Sequence, residues 1–331
     1  MSPARGTRAI IPVAGVGSRL RPHTHTVPKA LIHVAGRPIL AHILDDLVRL
    51  GVEDVVLVIG HMGDRIREYV DAEFPKLNRW YVEQPERLGL GHAVRTTKEY
   101  VLGHPAFIVL GDTIFRADFS EIVGAAESRI GVKAVEDPRR FGIVEMKDGY
   151  ASRLVEKPDQ PTSNLAIVGV YSIPDSKMLF EALDTLVEKD IRTKGEYQLT
   201  DALQMMIERG ETMDTLAVEG WFDCGQPDAL LEANRHLLAR MPPAAPRDGC
   251  ALIPPVWLDP TCLVERSVLG PNVSVGARAV IRDAVLRDSI VGEDAEVERS
   301  LLESSLIGEH SEVRGAYRKL NLGNSSQIEI A

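Results

Sequence analysis

The chain has 331 residues, 26% of them charged and 44% hydrophobic, and a formal net charge of −10. This length supports a full core and two domains, and the acidic balance argues against nucleic acid as the main partner, because a binder of the phosphate backbone carries a basic face. No apolar run approaches the roughly 18 residues of a membrane span, the first residues lack the apolar core and cleavage site of a signal peptide, and Cys224, Cys250 and Cys262 form no CxxC pair. A cytoplasmic protein with reduced thiols is therefore expected, with no membrane partner.

An apolar run over 9–13 predicts a strand that leads into the loop AGVGSRLRPHTHTVPKAL, residues 14–31. A dinucleotide-binding turn would read G-x-G-x-x-G, but Leu20 stands where the third glycine belongs, and the G-x-x-x-x-G-K-[ST] of a P-loop is absent. The remaining reading is another phosphate cradle. Gly15 and Gly17, flanked by Ala14 and Ser18, open backbone N–H groups toward an anion. Arg19 neutralises that anion, and Lys29, behind Pro28, adds a compact cation for a triphosphate tail or a leaving pyrophosphate.

Further along, helical spacing over 38–50 stops at Gly51, and the β-branched run 55–59 predicts a strand buried on both faces. A helix over 63–72, a strand over 80–83, a helix over 91–101 and the strand AFIVLGD over 106–112 complete a βαβ alternation, which implies a mostly parallel sheet. Gln84 follows a strand and can both donate and accept, so it suits the edge of a pyrimidine base. Gly89 and Gly91 let the backbone approach a flat ring. Asp112 ends a buried strand, the edge where α/β sheets bind ligands. With Asp223 of GWFDCG it makes a carboxylate pair suited to Mg²⁺. Cys224 beside it reads as a small buried residue.

From residue 130 the pattern changes. Strands over 130–135, 141–146, 151–155 and 165–171 are closely spaced and expected to be antiparallel, laid against the main sheet. Glu156 and Lys157 of LVEKP sit at a strand end, where an acid and a base suit a sugar phosphate. Helices are expected over 175–188, 198–209 and 227–240. The stretch MPPAAPRDG, 241–249, is the expected linker between domains at 1–240 and 250–331. Beyond it Val275-Gly276, Val291-Gly292 and Ile307-Gly308 recur every 16 residues, and Leu322-Gly323 follows 15 later. Apolar residues recur about every six, a solenoid pattern that resembles the hexapeptide repeat of left-handed parallel β-helices.

The loop at 11–31, Gln84 with LGLGHA, GDTIF, FGIVE, EKP, GEYQLTDAL and WFDCGQPDALLEANRHLL together resemble the sugar-1-phosphate nucleotidyltransferases, in particular the glucose-1-phosphate thymidylyl- and uridylyltransferases. The resemblance implies an α/β, Rossmann-like catalytic domain with a mostly parallel central sheet, followed by a short left-handed parallel β-helix. It also implies the reaction, in which a sugar 1-phosphate oxygen attacks the α-phosphate of an NTP and releases pyrophosphate with the help of Mg²⁺. By that resemblance Asp112 and Asp223 hold the metal, Arg19 and Lys29 the triphosphate, Lys157 the sugar phosphate, Gln84 and Gly89 the base, and Glu156 with the Gly142 backbone face the sugar. The family loop often has glycine and threonine where this chain has Ala14 and Ser18, which bears on the choice of base. Mannose-1-phosphate guanylyl transfer and a non-catalytic nucleotide-sugar binder are the competing readings. Acyl transfer by the tail is disfavoured because His310 is the only histidine after residue 250. A homo-oligomer is expected, with the tail as its assembly element.

Overall fold

The apolar runs become the centre of one sheet. The structure is a computed structural model that describes residues 6–315; the Leu322-Gly323 repeat lies outside the described residues. By its internal contacts the chain divides into two units, one of Met1–Ile32 with Arg37–Ala233, the other of His33–Gly36 with Asn234–Ala331.

In the first unit β1 (Arg8–Pro12) leads into the loop; β2 (His33–Val34) belongs to the second unit, and the first resumes with β3 (Arg37–Pro38), α1 (Ile39–Leu50), β4 (Asp54–Ile59), α2 (Gly63–Glu73) and β5 (Asn78–Glu83). Next follow α3 (Leu90–Arg95), α4 (Lys98–Val101), β6 (Ala106–Val109), β7 (Thr113–Arg116), β8 (Ser128–Ala134), β9 (Gly142–Lys147), β10 (Tyr150–Glu156) and β11 (Leu165–Ile173). The unit ends with α5 (Ser176–Glu188), α6 (Leu199–Glu208), β12 (Met213–Ala217), β13 (Gly220–Asp223) and the start of α7 (Pro227–Leu238).

The sheet order is β10-β9-β11-β6-β1-β4-β5, with β8 pairing β11 and β12. β6, β1, β4 and β5 are parallel neighbours. Ile10, Ile11 and Val55 to Val58 are wholly buried, as expected for strands covered on both faces. α1 buries Ile39, Leu40, Ala41, Ile43, Leu44 and Leu47 and ends where Gly51, at φ 75°, returns its N–H to the last turn. The strands over 128–173 pair antiparallel, as expected, β8 and β9 with β11 and β10 with β9. They do not lie against the main sheet, however; they extend it, because β11 hydrogen-bonds directly to β6 and carries β8 and β9 with it. The single helix expected over 91–101 is two, α3 and α4. Thr96 and Thr97 divert their hydroxyls to the Ala93 and Val94 carbonyls at the break between them.

In the second unit short strands form three parallel four-stranded sheets, the faces of the expected β-helix. Leu269, Val275, Ile281, Leu286, Val291 and Val297 fill its interior. The register between coils is 17 residues in the first (Val256 against Val273) and 16 later (Ser274 against Ile290). Gly36 lies in this unit against Trp257, where a Cβ would stand 2.4 Å from the indole ring.

Candidate active site

The loop after β1 is pinned from below. Gly17 adopts φ 66°, and a Cβ there would meet Thr24 Cγ2 at 2.9 Å and Lys29 Cβ at 3.0 Å. Only glycine permits both the backbone and the contact. Thr24 donates its hydroxyl to the Gly17 carbonyl at 2.8 Å. Gly15, Ser18 and Arg19 remain exposed on top of the loop, and Ala14 is buried.

Lys29, 7% exposed, projects beneath the loop and binds Asp112 Oδ2 at 2.5 Å and Asp223 Oδ1 at 3.8 Å. The two carboxylates, 111 positions apart in the chain by number, meet because β7 and β13 pair antiparallel with Thr113 opposite Asp223, and because the Cys224 N–H donates to the Asp112 carbonyl at 3.1 Å. Both side chains are about two-fifths exposed (40% and 39%), so their remaining lone pairs face the cleft. A Cβ on Gly225 would meet Arg19 Nη2 at 2.7 Å and Asp223 Oδ1 at 2.9 Å, which puts the Arg19 guanidinium at the same corner. Cys224 is wholly buried and burial raises its thiol pKa, so it stays a neutral packing residue.

Lys29's partners open onto a cleft of about 770 Å³ that also holds Arg19, Gly142, Glu156 and Lys157. At its other end Gly142 pairs with Glu156 across β9 and β10. Glu156 accepts from Thr200 Oγ1 at 2.7 Å and lies 3.2 Å from Lys157 Nζ. A Cβ on Gly142 would meet Glu156 Oε2 at 2.9 Å and Thr200 Oγ1 at 3.0 Å, so glycine keeps this end open. Lys157 stands at φ 43°, an uncommon conformation for lysine, its N–H held by the Phe141 carbonyl at 3.0 Å.

Gln84 and Ala14 line a separate hollow of about 380 Å³ at the ends of β4 and β5, together with His61, Asp64 and Arg87. The structure therefore brings Arg19, Asp112, Asp223, Gly142, Glu156 and Lys157 to one cleft and sets Gln84 and Ala14 apart. Gly89, expected to let the backbone approach a ring, is closed by the chain on its Cβ side. At φ 108° it lies under the backbone of Tyr197, where a Cβ would come within 2.6 Å of the carbonyl. Its own carbonyl points to Gln84 Nε2 at 3.2 Å.

Several cleft residues escaped the sequence reading. Arg139 and Arg140 stand in a 3₁₀ turn capped by Asp137; Arg139 forms a two-pronged pair with Asp137, and Arg140 makes no hydrogen bond or ion pair among the described residues. Lys194, paired to Asp159 at 2.9 Å, and Trp221 complete the rim. Their signal was present in DPRRFG, two arginines one turn before Gly142, and in TKGEYQLT, but isolated surface cations carry no spacing rule. Five cations and four carboxylates line the cleft, so it is locally basic in a chain of net charge −10.

A glycine-bearing loop above a lysine and two carboxylates, one following a strand of the central sheet and one on the β7–β13 ribbon, is an arrangement that suits a nucleotide-handling α/β protein. Residues 8–240 match the Nucleotidyl transferase family, and the chain belongs to that family. It is 36% identical over 240 residues to the low-salt glycan biosynthesis nucleotidyltransferase Agl11 of Haloferax volcanii, covering 70% of this chain and 66% of that one. With the UTP–glucose-1-phosphate uridylyltransferase AglF of the same organism it shares 34% over 239 residues, 70% of this chain and 96% of AglF. It shares 33% over 310 residues with the glucose-1-phosphate thymidylyltransferase of Streptomyces griseus, 88% of this chain and 85% of that. The chain spans about half (55%) of the bifunctional GlmU of Methanococcus maripaludis, at 36% identity over 70% of its own length. Among solved structures it superposes on the UDP-glucose pyrophosphorylase of Acinetobacter baumanii with a TM-score of 0.60 at 25% identity, over 71% of this chain and 94% of that one. No helix among the described residues is long and apolar enough to cross a membrane.

Proposed function

We propose that the chain couples a nucleoside triphosphate to a sugar 1-phosphate, with UTP or dTTP and glucose 1-phosphate as substrates. The observation that carries this reading is Lys29 set between Asp112 and Asp223 at one end of a cleft whose other end holds Glu156 and Lys157. The uridylyl- and thymidylyltransferase names of the relatives support the substrate choice.

A phosphate oxygen of the sugar 1-phosphate attacks the α-phosphorus in line, the α–β bridging P–O bond breaks, and pyrophosphate leaves. The nucleophile is already an anion, so the site needs no general base, and catalysis is positioning and charge neutralisation. The loop backbone around Ala14, Gly15, Gly17 and Ser18 and the Arg19 side chain hold the triphosphate, with Lys29 beneath it. Lys157 orients the attacking phosphate, and Glu156, held by Thr200, accepts from sugar hydroxyls beside Gly142. Asp112 and Asp223 suit Mg²⁺, because they are partly exposed hard oxygen donors within 4 Å of one ammonium, and this ion takes one or two carboxylates plus substrate phosphates. When bound, Mg²⁺ neutralises phosphate charge.

Residues 1–240 carry the catalysis, 241–249 act as a linker, and 250–331 form a tail for homo-oligomer assembly in the cytoplasm. Pyrophosphate release from five NTPs against several sugar 1-phosphates with Mg²⁺ tests the activity. UTP or dTTP with glucose 1-phosphate should give the highest kcat/KM, and no turnover in any pairing would leave a non-catalytic binder.

A further inference from the structure

Asn234, on α7, is wholly buried, and its side chain makes three hydrogen bonds within the second unit. Oδ1 accepts from the Ala35 N–H at 2.9 Å and from the Ser274 hydroxyl at 2.9 Å, and Nδ2 donates to the Asn272 carbonyl at 3.2 Å. A backbone N–H only donates and a carbonyl only accepts, so these partners fix which end of the amide faces which. One side chain thereby ties the segment His33–Gly36 to the β-helix. Gly36 adds a second tie, since it lies so close to the Trp257 indole that no Cβ would fit there.

What these ties hold is strained. Ala35 stands at φ 49° and Gly36 at φ 83°. The left-handed region is open to glycine, but in alanine it crowds the Cβ against the following carbonyl oxygen. A residue stays in such a conformation only where its surroundings hold it. Val34 and Ala35 are wholly buried, so the Asn234 oxygen, and not water, satisfies the Ala35 N–H. His33, where this segment starts, is four positions after Lys29. One 3₁₀ turn, Lys29–Leu31, fills the gap, with the Leu31 N–H on the Pro28 carbonyl at 2.8 Å and the Ile32 N–H on the Lys29 carbonyl at 3.1 Å. The Ile32 carbonyl accepts from the Ile39 N–H at 3.0 Å. The connection from the strained turn to the backbone of Lys29 is therefore short and internally hydrogen-bonded.

We infer that Asn234 is a positioning residue for Lys29: by holding Ala35 in its left-handed turn, it fixes the stretch of chain that carries the ammonium to Asp112 and Asp223. The inference rests on the proposed role of Lys29 beneath the triphosphate, and it gives the second unit a part in the nucleotide step besides assembly. Without the amide, the Ala35 N–H loses its acceptor, the alanine relaxes toward negative φ, and the short turn passes the shift to Lys29. Misplacing a catalytic group by about 1 Å costs on the order of 10² in rate. The sugar-phosphate end is held by other means, through the pairing of β9 with β10 and the Thr200 hydroxyl on Glu156, so the loss falls on the nucleotide.

Two measurements on the full chain test it, and the first needs no activity. Limited acetylation with acetic anhydride, mapped by peptide mass spectrometry, reports the accessibility of each lysine. Lys29, 7% exposed and paired with Asp112, should label slowly in the wild type and several-fold faster in Asn234→Ala, with the other lysines unchanged. In pyrophosphate release, kcat/KM for UTP should fall at least about tenfold while the KM for glucose 1-phosphate stays within about twofold. Ala35→Gly relieves the strain without restoring any hydrogen bond, so the double variant Asn234→Ala/Ala35→Gly should recover most of the Lys29 protection and of kcat/KM for UTP. Asn234→Asp keeps the acceptor for Ala35 and should leave Lys29 protected even where its melting temperature falls as far as that of Asn234→Ala. Should Asn234→Ala not fold, Asn234→Ser carries the same expectation. Unchanged Lys29 labelling in the folded variant, a double variant no better than the single, or an equal rise in both KM values overturns the inference. Lys29 labelling that follows Asn234 in a protein that releases no pyrophosphate would refute the enzymatic reading alone and uphold the positioning.

Discussion

Replacing Lys29 by Met separates the two jobs that its position allows, holding the fold and holding charge. Met fills the volume of the buried stem but removes the ammonium that lies 2.5 Å from Asp112 and 3.8 Å from Asp223. At an effective dielectric of 20, unit charges 4 Å apart interact by about 4 kcal/mol. Both carboxylates are about two-fifths exposed, however, and water replaces most of that attraction when the lysine goes. The stability loss should therefore be that of a solvent-screened pair, about 1 kcal/mol. The catalytic loss is larger, since the same ammonium faces a triphosphate whose charge grows on the leaving pyrophosphate; removing one such preorganised group costs on the order of 10²–10³ in rate. Urea denaturation of Lys29→Met should show a small shift in midpoint, and pyrophosphate release should fall by two to three orders of magnitude. A kcat/KM within fivefold of wild type would refute the charge-clamp argument. So would a midpoint collapse large enough for the unfolded fraction to explain the lost activity.

Lys157→Ala should lower kcat/KM by on the order of 10² or more by the same reasoning, chiefly through the sugar phosphate. Gly142→Ala pushes a methyl group to 2.9 Å from Glu156 Oε2 and 3.0 Å from Thr200 Oγ1; the KM for sugar 1-phosphate should rise while the KM for NTP stays within about twofold, and a rise in both would contradict the assignment of the two ends. Stability should fall between pH 7.5 and 5.5, because burial lowers the folded pKa of His23 and His92 below 6.5, so the unfolded chain takes up protons first. That contribution is complete above about pH 6.5 and shrinks as pH drops below it, and the slope of denaturation midpoint against pH should be shallower in His92→Asn, with an identical slope counting against the buried-imidazole account. A chain truncated after Arg240 should sediment at a lower association state than the full chain, and an unchanged state would sink the assembly role of the tail.

How much was legible in the sequence depended on the range of the interactions. β1, β4 and β6 were readable because burial on both faces demands unbroken apolar runs, and Gly51 ends α1 for a reason local to one residue. The β-helix was readable because a solenoid repeats its interior contacts at a fixed spacing, although the first coil spans 17 residues rather than 16. The place of the strands after residue 128 was not readable. Alternation fixes which face a strand buries, but not whether β11 hydrogen-bonds to the edge of β6 or packs over it. The β7–β13 ribbon was equally invisible, since its strands are four residues long and more than 100 positions apart, yet it is this ribbon that sets Asp223 beside Asp112.

The same division explains which candidate residues the sequence could nominate. Arg19, Lys29, Asp112 and Asp223 were visible because glycines, a proline or a buried strand mark the backbone that carries each. Arg140 and Lys194 were not, because a cation on a turn looks the same whether it faces water or a cleft. Gln84 is the intermediate case. Its residue type and place after β5 nominated it as a base reader, but the donor half of its chemistry is consumed by Gly89 and His92. The glycine pattern that pointed to a ring-binding turn also meets a packing requirement. Gly89 must pass under the Tyr197 backbone with its carbonyl turned toward the amide, and any larger residue would move that carbonyl and free Gln84 to rotate. The orientation of the Gln84 amide therefore depends on a backbone oxygen and on one ring nitrogen, atoms whose roles appear only once the chain has folded.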